Sequence, residues 1–322
     1  MAVVGNAGNA GNAGNAGNAD IGLAAVLVPA VVRPIGLSPS IPDPITDPIR
    51  SNGWPPSDIL SGLPEHWKFA PEPAVGDYLG RGWELPFSRL VLFAQIATDA
   101  DWFIAAARTD LDGIITHGNA ADAELDQLFK LVDFRPDILN EALAQRNNLL
   151  GYFAGILAFN PVTHPYTYLL AAAAETYGLF LAMYWKAEYQ RPRPSRRSPM
   201  LLPPVDSPGH AAFPSGHSTQ AYLIAQILAE ILPPAAKNSY DATNTALGLD
   251  NSPLFRLAER LARNREVLGL HYRSDSEAGK KLAELAMPKL VATLNNKIAV
   301  RPVAHKPPNA VNLIAKAQAE WT

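Results

Sequence analysis

From residue 85 onward, apolar side chains recur at the three-to-four-residue spacing of one helix face, beginning with Leu90, Phe93, Ile96 and Ala97. The pattern predicts a first helix from about 85 that continues through Asp101 to Ala107. Further helices are predicted over about 119–131, 136–158, 165–188, 216–232, 253–268 and 275–297. Ser274 and Glu277 form an S-x-x-E capping box that predicts the start of the last one. No run of strands with alternating apolar and polar residues occurs, so the expected class is all-α, a helical bundle joined by short loops. The most apolar stretch, Tyr168 to Trp185, contains Glu175. It falls short of the roughly 18 uninterrupted apolar residues of a spanning helix, which predicts a buried helix and no transmembrane segment.

Ahead of residue 85 this pattern is lost. Residues 5–19 are five tandem Gly-Asn-Ala triplets, which bury nothing, so residues 1–20 read as a flexible tail. Residues 21–84 are rich in Pro, with IPDPITDP and NGWPPSD, and exclude regular helix or central strand. An extended arm is expected there, lying over the helical body or onto a partner subunit and anchored by Trp54 and Trp67. That arm makes a homo-oligomer, a homodimer, the expected assembly. Residues 85–300 then form the helical catalytic domain, and 301–322 a C-terminal extension.

Composition narrows the function classes. A hydrophobic content of 48% over 322 residues supports a large core. The formal net charge of -3 offers no basic field for nucleic acid. The absence of cysteine excludes disulfides, thiolate metal sites and thiol nucleophiles. The N-terminal residues lack the charged region of a signal peptide, so a soluble, cytoplasmic protein is expected rather than a secreted one.

Three short motifs carry the chemistry. In KAEYQRPRP, Lys186 lies near a helix end and Arg193 follows seven residues later across a Pro-broken turn. Arginine suits an oxyanion because its fork donates two parallel bonds. In PSGH, Pro214 and Ser215 precede an apolar helical pattern, so Ser215 is a natural helix start and Gly216 lets the backbone approach a ligand. The free N–H groups there favour an anion, and His217 projects into the same place as a proton carrier. In REVLGLHYRSD, Arg265 stands six residues before His271 and Asp275 four after it. Asp275 can accept from the His271 ring and set its tautomer. His66, His117, His164 and His305 lie outside the motifs and read as surface or structural, and Trp185 reads as core. Asp99, Asp101 and Asp110 are candidate partners for His217. No Walker loop, dinucleotide fingerprint or HExxH zinc site occurs.

In this order and spacing the motifs resemble the superfamily that joins type 2 phosphatidic acid phosphatases, bacterial nonspecific acid phosphatases and vanadium haloperoxidases. Its K-x6-RP, PSGH and SR-x5-H-x3-D signature reads here as Lys186 to Arg193-Pro194, Pro214 to His217, and Arg265 to His271 to Asp275, with Asn264 in place of the usual Ser. The resemblance covers about residues 185–280. It implies a helical bundle in which Lys186, Arg193, Arg265, Ser215 and the Gly216 N–H bind the oxyanion. It implies His217 as acid–base residue, and His271 as either phosphate nucleophile or the single protein ligand to vanadium. Vanadate is the implied cofactor, phosphate can take the same site, and no other metal is expected.

Two activities share such a pocket. A haloperoxidase would use hydrogen peroxide and halide, and a phosphatase a phosphomonoester. His210 in HAAFPSGH is similar to the HPSYPSGH of bromide-oxidising members, and GLHYRSD differs from the GYHWQSD style of secreted acid phosphatases. Both features favour a vanadate-dependent haloperoxidase acting on bromide. The length of 322 residues, short for a haloperoxidase, favours the alternative, a soluble acid phosphatase with a phosphohistidine intermediate.

Overall fold

The amphipathic stretches are helices in the computed structural model of the chain, which describes residues 85–237, 251–295 and 312–322. The tail, the arm with Trp54, His66 and Trp67, and His305 lie outside the described residues. Among the described residues there is no strand, as an all-α chain requires. The helices are α1 (Leu85–Ile96), α2 (Ala107–Ile114), α3 (Gly118–Lys130), α4 (Arg135–Gln145) and α5 (Leu149–Leu157). They continue with α6 (Pro165–Tyr189), α7 (Gly216–Ile231), α8 (Pro253–Val267), α9 (Arg273–Asn295) and α10 (Leu313–Gln318). Among the described residues, no helix is long and apolar enough to cross a membrane.

Helix α7 is the centre. Every residue from Gly216 to Ala225 is buried, the polar His217, Ser218, Thr219 and Gln220 included, so this is a core helix. Helices α6, α8 and α9 enclose it. Leu223, Ile224, Ile227 and Leu228 are fully buried, each stabilising the fold by about 1.5–3 kcal/mol. The enclosure is tight because small residues stand at the crossings. A Cβ on Gly178 of α6 would lie 3.0 Å from the Gln220 Cα of α7. A Cβ on Gly279 of α9 would lie 2.7 Å from the Ser215 carbonyl oxygen. Glu175, the charge within the apolar stretch of α6, is buried beside Arg89 of α1 and interacts with it.

The observed helices depart from the expected ones in three places. The first expected helix ends at Ile96, and residues 97–106 turn before α2 begins. The expected 136–158 helix is two helices. Asn148 starts the second, its side-chain oxygen accepting from the Gly151 N–H at 3.0 Å, and asparagine favours such caps over helix interiors. The described part of the C-terminal extension docks on the body. Glu320 accepts from the N–H groups of Tyr166 and Thr167, both at 2.8 Å, at the start of α6. A carboxylate there meets orphan donors and the positive end of the helix dipole. Trp321 adds a bond from Nε1 to Thr167 Oγ1 at 2.9 Å and stacks against His164.

The crossing at Gly279 yields a prediction. Gly279→Ala should destabilise the protein by about 1–3 kcal/mol, because the new methyl meets backbone that cannot move aside. Urea unfolding measures this, and unchanged stability would show that the α7–α9 crossing has slack.

Candidate active site

The two Arg-Pro pairs set the first wall. Helix α6 stops at Gln190, which takes a left-handed φ of 47° and returns its N–H to the Lys186 carbonyl at 2.9 Å. Arg191 and Arg193 each precede a proline, which disfavours helix, and Arg193 is extended at φ -62°, ψ 151°. Residues two apart on extended chain share a face. Accordingly both arginines reach one His-Asp pair. Arg191 Nη1 donates to Asp275 Oδ1 at 2.8 Å, and Arg193 Nη1 donates to His271 Nε2 at 2.9 Å.

The second and third motifs are locked together. Ser215 caps α7, its hydroxyl accepting from the Ser218 N–H at 3.4 Å. Its own N–H donates to the Asp275 carbonyl at 2.8 Å. Helix α8 ends at Gly269, φ 75°, in a Schellman turn: Leu270 N–H bonds the Arg265 carbonyl at 3.0 Å, and Gly269 N–H bonds that of Glu266 at 2.7 Å. Glycine tolerates this φ without strain. The turn carries His271 back beside the helix end that holds Arg265.

The tautomer of His271 follows from its neighbours. A guanidinium only donates, so Nε2 facing Arg193 must be the acceptor. The proton is then on Nδ1, donated to Asp275 Oδ2 at 3.1 Å. The same Oδ2 accepts from the Tyr272 N–H at 2.9 Å. Burial, with Arg193 and Lys186 adding to it, holds the His271 pKa well below the usual imidazole range. The ring is neutral, with its Nε2 lone pair turned toward cations.

His217 occupies the first turn of α7 and hydrogen-bonds the Gln145 backbone. Burial, then Arg265 and His271, push its pKa well down. Arg265 donates through Nη2 to the Ala142 carbonyl. Both acceptors belong to the last turn of α4, where helix carbonyls lack partners and the dipole is negative. The break at 146–148 creates this acceptor end, so continuous helix over 136–158 would have closed it.

Positive charge is in surplus. Lys186 donates to the Ala211 and Ala212 carbonyls at 2.8 and 2.7 Å. Arg193 also bonds the carbonyls of His210 and Leu270 at 3.1 and 2.8 Å, and His210 Nδ1 at 3.1 Å. The hydrogen bonds of Lys186, Arg193 and Arg265 therefore end on carbonyls and imidazoles, never on a carboxylate. All three side chains are buried. Burial lowers Lys186 well below its ordinary pKa and pushes both arginines down to about 10. Arg265 Nε is buried without a hydrogen-bond partner. Such a set favours an anion.

A narrow cavity of about 20 Å3, room for about one water, is lined by Arg193, His217, Arg265 and His271. Arg146, Asp206 and apolar residues that include Leu143, Leu268 and Leu270 complete its wall. Four sequence-predicted residues thus converge. Lys186 and half-buried His210 do not line this cleft but a neighbouring cavity, which Arg193 shares. Ser215 and Gly216 are buried at the start of α7 and line neither. Asp275 stands behind His271, as its spacing predicts.

Two expectations are corrected. None of Asp99, Asp101 and Asp110 partners His217. The first two hold Lys289 at 3.0 and 3.3 Å, and Asp110 holds Lys281 at 3.3 Å. The Ser274–Glu277 capping box does not form. Ser274 lies inside the first turn of α9, its N–H and hydroxyl donate to Glu124 at 2.7 and 2.8 Å, and Glu277 pairs with Arg273 at 3.0 Å. A carboxylate from α3 has displaced the local one. Sequence reasoning also passes over Arg191. Its guanidinium bonds Asp275, Ser274, Thr116 and Glu124 and stacks over Tyr272 at 3.9 Å. Its position directly before a proline, shared with Arg193, was the available signal.

Two measurements test this electrostatic arrangement. Arg191→Met leaves Asp275 buried without its nearest counter-charge and should cost about 3–5 kcal/mol, with Arg191→Lys restoring only part. Stability should also fall on acidification. Unfolded histidines protonate near pH 6.5, whereas folded His217 and His271 resist it, so their contribution is complete above that pH and lost below it. Each can add a slope of up to about 1.4 kcal/mol per pH unit. Asp275, raised by burial, contributes the opposite sign. Urea titrations between pH 7.5 and pH 5 on the parent and His217→Phe should show a shallower slope in the variant.

No protein-family model and no curated protein matches the chain. The functional reading therefore rests on these side chains.

Proposed function

We propose that the protein is a vanadate-dependent haloperoxidase, oxidising halide, with bromide preferred, by hydrogen peroxide. One observation carries the reading: His271 Nε2 presents a lone pair amid buried cations whose hydrogen bonds end on carbonyls and imidazoles. The residues fit a tetrahedral oxyanion, since Arg265 Nε is buried with a proton and nothing to receive it. Vanadate would be held by His271 Nε2, Arg193 and Arg265 beside His217, which line the cleft, with the charge of Lys186 acting from the neighbouring cavity. When bound, it supplies the Lewis acidity that activates peroxide toward halide.

The chain's own residues do the rest. Asp275 keeps the His271 proton on Nδ1, so Nε2 stays available. Arg193 must release Nε2 before a ligand takes it, and its charge then serves the ligand's oxygens. The cations compensate oxyanion charge in a site walled by Leu143, Leu268 and Leu270, where low dielectric strengthens the attraction. Burial, with Arg265 beside it, holds His217 toward its neutral form. An anion beside it raises its pKa, which makes it a proton carrier at working pH. His210, bonded to Arg193, is the feature that favours bromide.

The His271–Asp275 geometry favours one second reading, acid phosphatase. A neutral Nε2 backed by a carboxylate is also a nucleophile for phosphorus, with His217 protonating the leaving alkoxide.

The assay is bromination of an organic acceptor by metal-free protein given orthovanadate, bromide and hydrogen peroxide. Vanadate-dependent turnover is expected. It should vanish in His271→Ala and fall by about 10²–10⁴-fold in His217→Ala. No turnover, with vanadate instead inhibiting aryl phosphate hydrolysis, replaces this reading by the phosphatase one.

A further inference from the structure

Arg193 borders two cavities. The second is far larger than the cleft, about 420 Å3, and opens between the end of α6 and the loop around His210. That volume is in the range of about 300–1,000 Å3 typical of small-molecule sites. Its charged lining is all basic: Lys186, Arg191, Arg193 and Arg196, with His210, and no Asp or Glu. The charge of Arg191 is already met by Asp275 and Glu124. Arg196 is exposed, and its charge adds to the repulsion felt by Arg193.

The other walls are apolar or neutral. Met183 is 37% exposed and lines the cavity with Ala187 and Pro192. The carbonyls at the end of α6 would repel an anion, but two of them are engaged. Lys186 O accepts from the Gln190 N–H at 2.9 Å, and Ala187 O from Gln190 Nε2 at 3.1 Å. A basic pocket with an apolar wall matches a ligand that has one anionic head and an apolar body. A planar carboxylate suits the guanidinium fork.

We propose that this second cavity binds a small organic carboxylate, at a site separate from the oxyanion cleft. The inference stands apart from the reaction performed in the cleft. The carboxylate meets Arg196 and the outward side of Arg193, and its apolar body lies on Met183.

Calorimetric titration of the full chain with benzoate tests this, in the absence and presence of inorganic phosphate. Saturable one-site binding is expected, undisplaced by phosphate, with benzylamine failing to bind. Arg196→Ala should weaken benzoate about tenfold, one charge-assisted contact, and Met183→Glu should weaken it at least as much. Both positions are exposed, so thermal stability should match the parent and separate lost binding from lost folding. Absence of saturable benzoate binding overturns the proposal. So does binding that phosphate displaces and Arg196→Ala leaves unchanged, which would place benzoate in the cleft. If the protein proves to bind no phosphate at all, benzoate binding sensitive to Arg196→Ala still supports the second site.

Discussion

The buried pair of Arg191 and Asp275 is the constraint on which the rest of the site depends. Asp275 is fully buried, and its two oxygens serve Arg191 on one side and His271 with the Tyr272 N–H on the other. Burial alone would push a proton onto this carboxyl, and Arg191 is the foremost force opposing that. With Asp275 ionised, His271 has a fixed tautomer. With His271 neutral, Arg193 and Lys186 can approach without meeting a third positive ring. Remove the carboxylate charge and each of these positions becomes harder to hold.

Two helix ends complete the arrangement, and their polarity explains which residues meet. The first turn of α7 brings His217 to the cleft. The end of α4 offers carbonyls to Arg265 and His217. A positive helix end and a negative one therefore face the same cleft. Lys186, Arg193 and Arg265 are anchored by backbone carbonyls and imidazoles and not by hydrogen bonds to carboxylates. A carbonyl can orient a guanidinium without cancelling its charge, so the field that attracts an anion survives the anchoring.

Much of this was legible in the chain. Helix α7 was readable because its apolar residues recur on every face, and the three motifs because each side chain must reach one point from a helix end or turn. The tie between Asp275 and His271 followed from their spacing. What was not legible depends on contacts between distant helices. Spacing from Lys186 selects Arg193 over Arg191, but the role of Arg191 depends on the placement of α3, which brings Glu124. Ser274 and Glu277 match a local cap, but the same carboxylate wins Ser274. The break after α4 had a local signal in Asn147-Asn148, yet strong apolar periodicity on both sides concealed it. The docking of Trp321 and Glu320 on α6 left no periodic trace because the segment is so short.

The span of the hydrogen bonds around the cleft has a kinetic consequence. Arg193 and His271 are 78 residues apart, Ser218 and Ser276 are 58 apart, and Arg265 meets a carbonyl 123 residues earlier. Helices form locally and early, but contacts of such long range wait for the whole chain to collapse and slow its folding. The cleft thus acquires its geometry only once these distant segments have met. A collapsed helical intermediate would show nearly the full far-ultraviolet signal of the native protein and yet have no place for an anion.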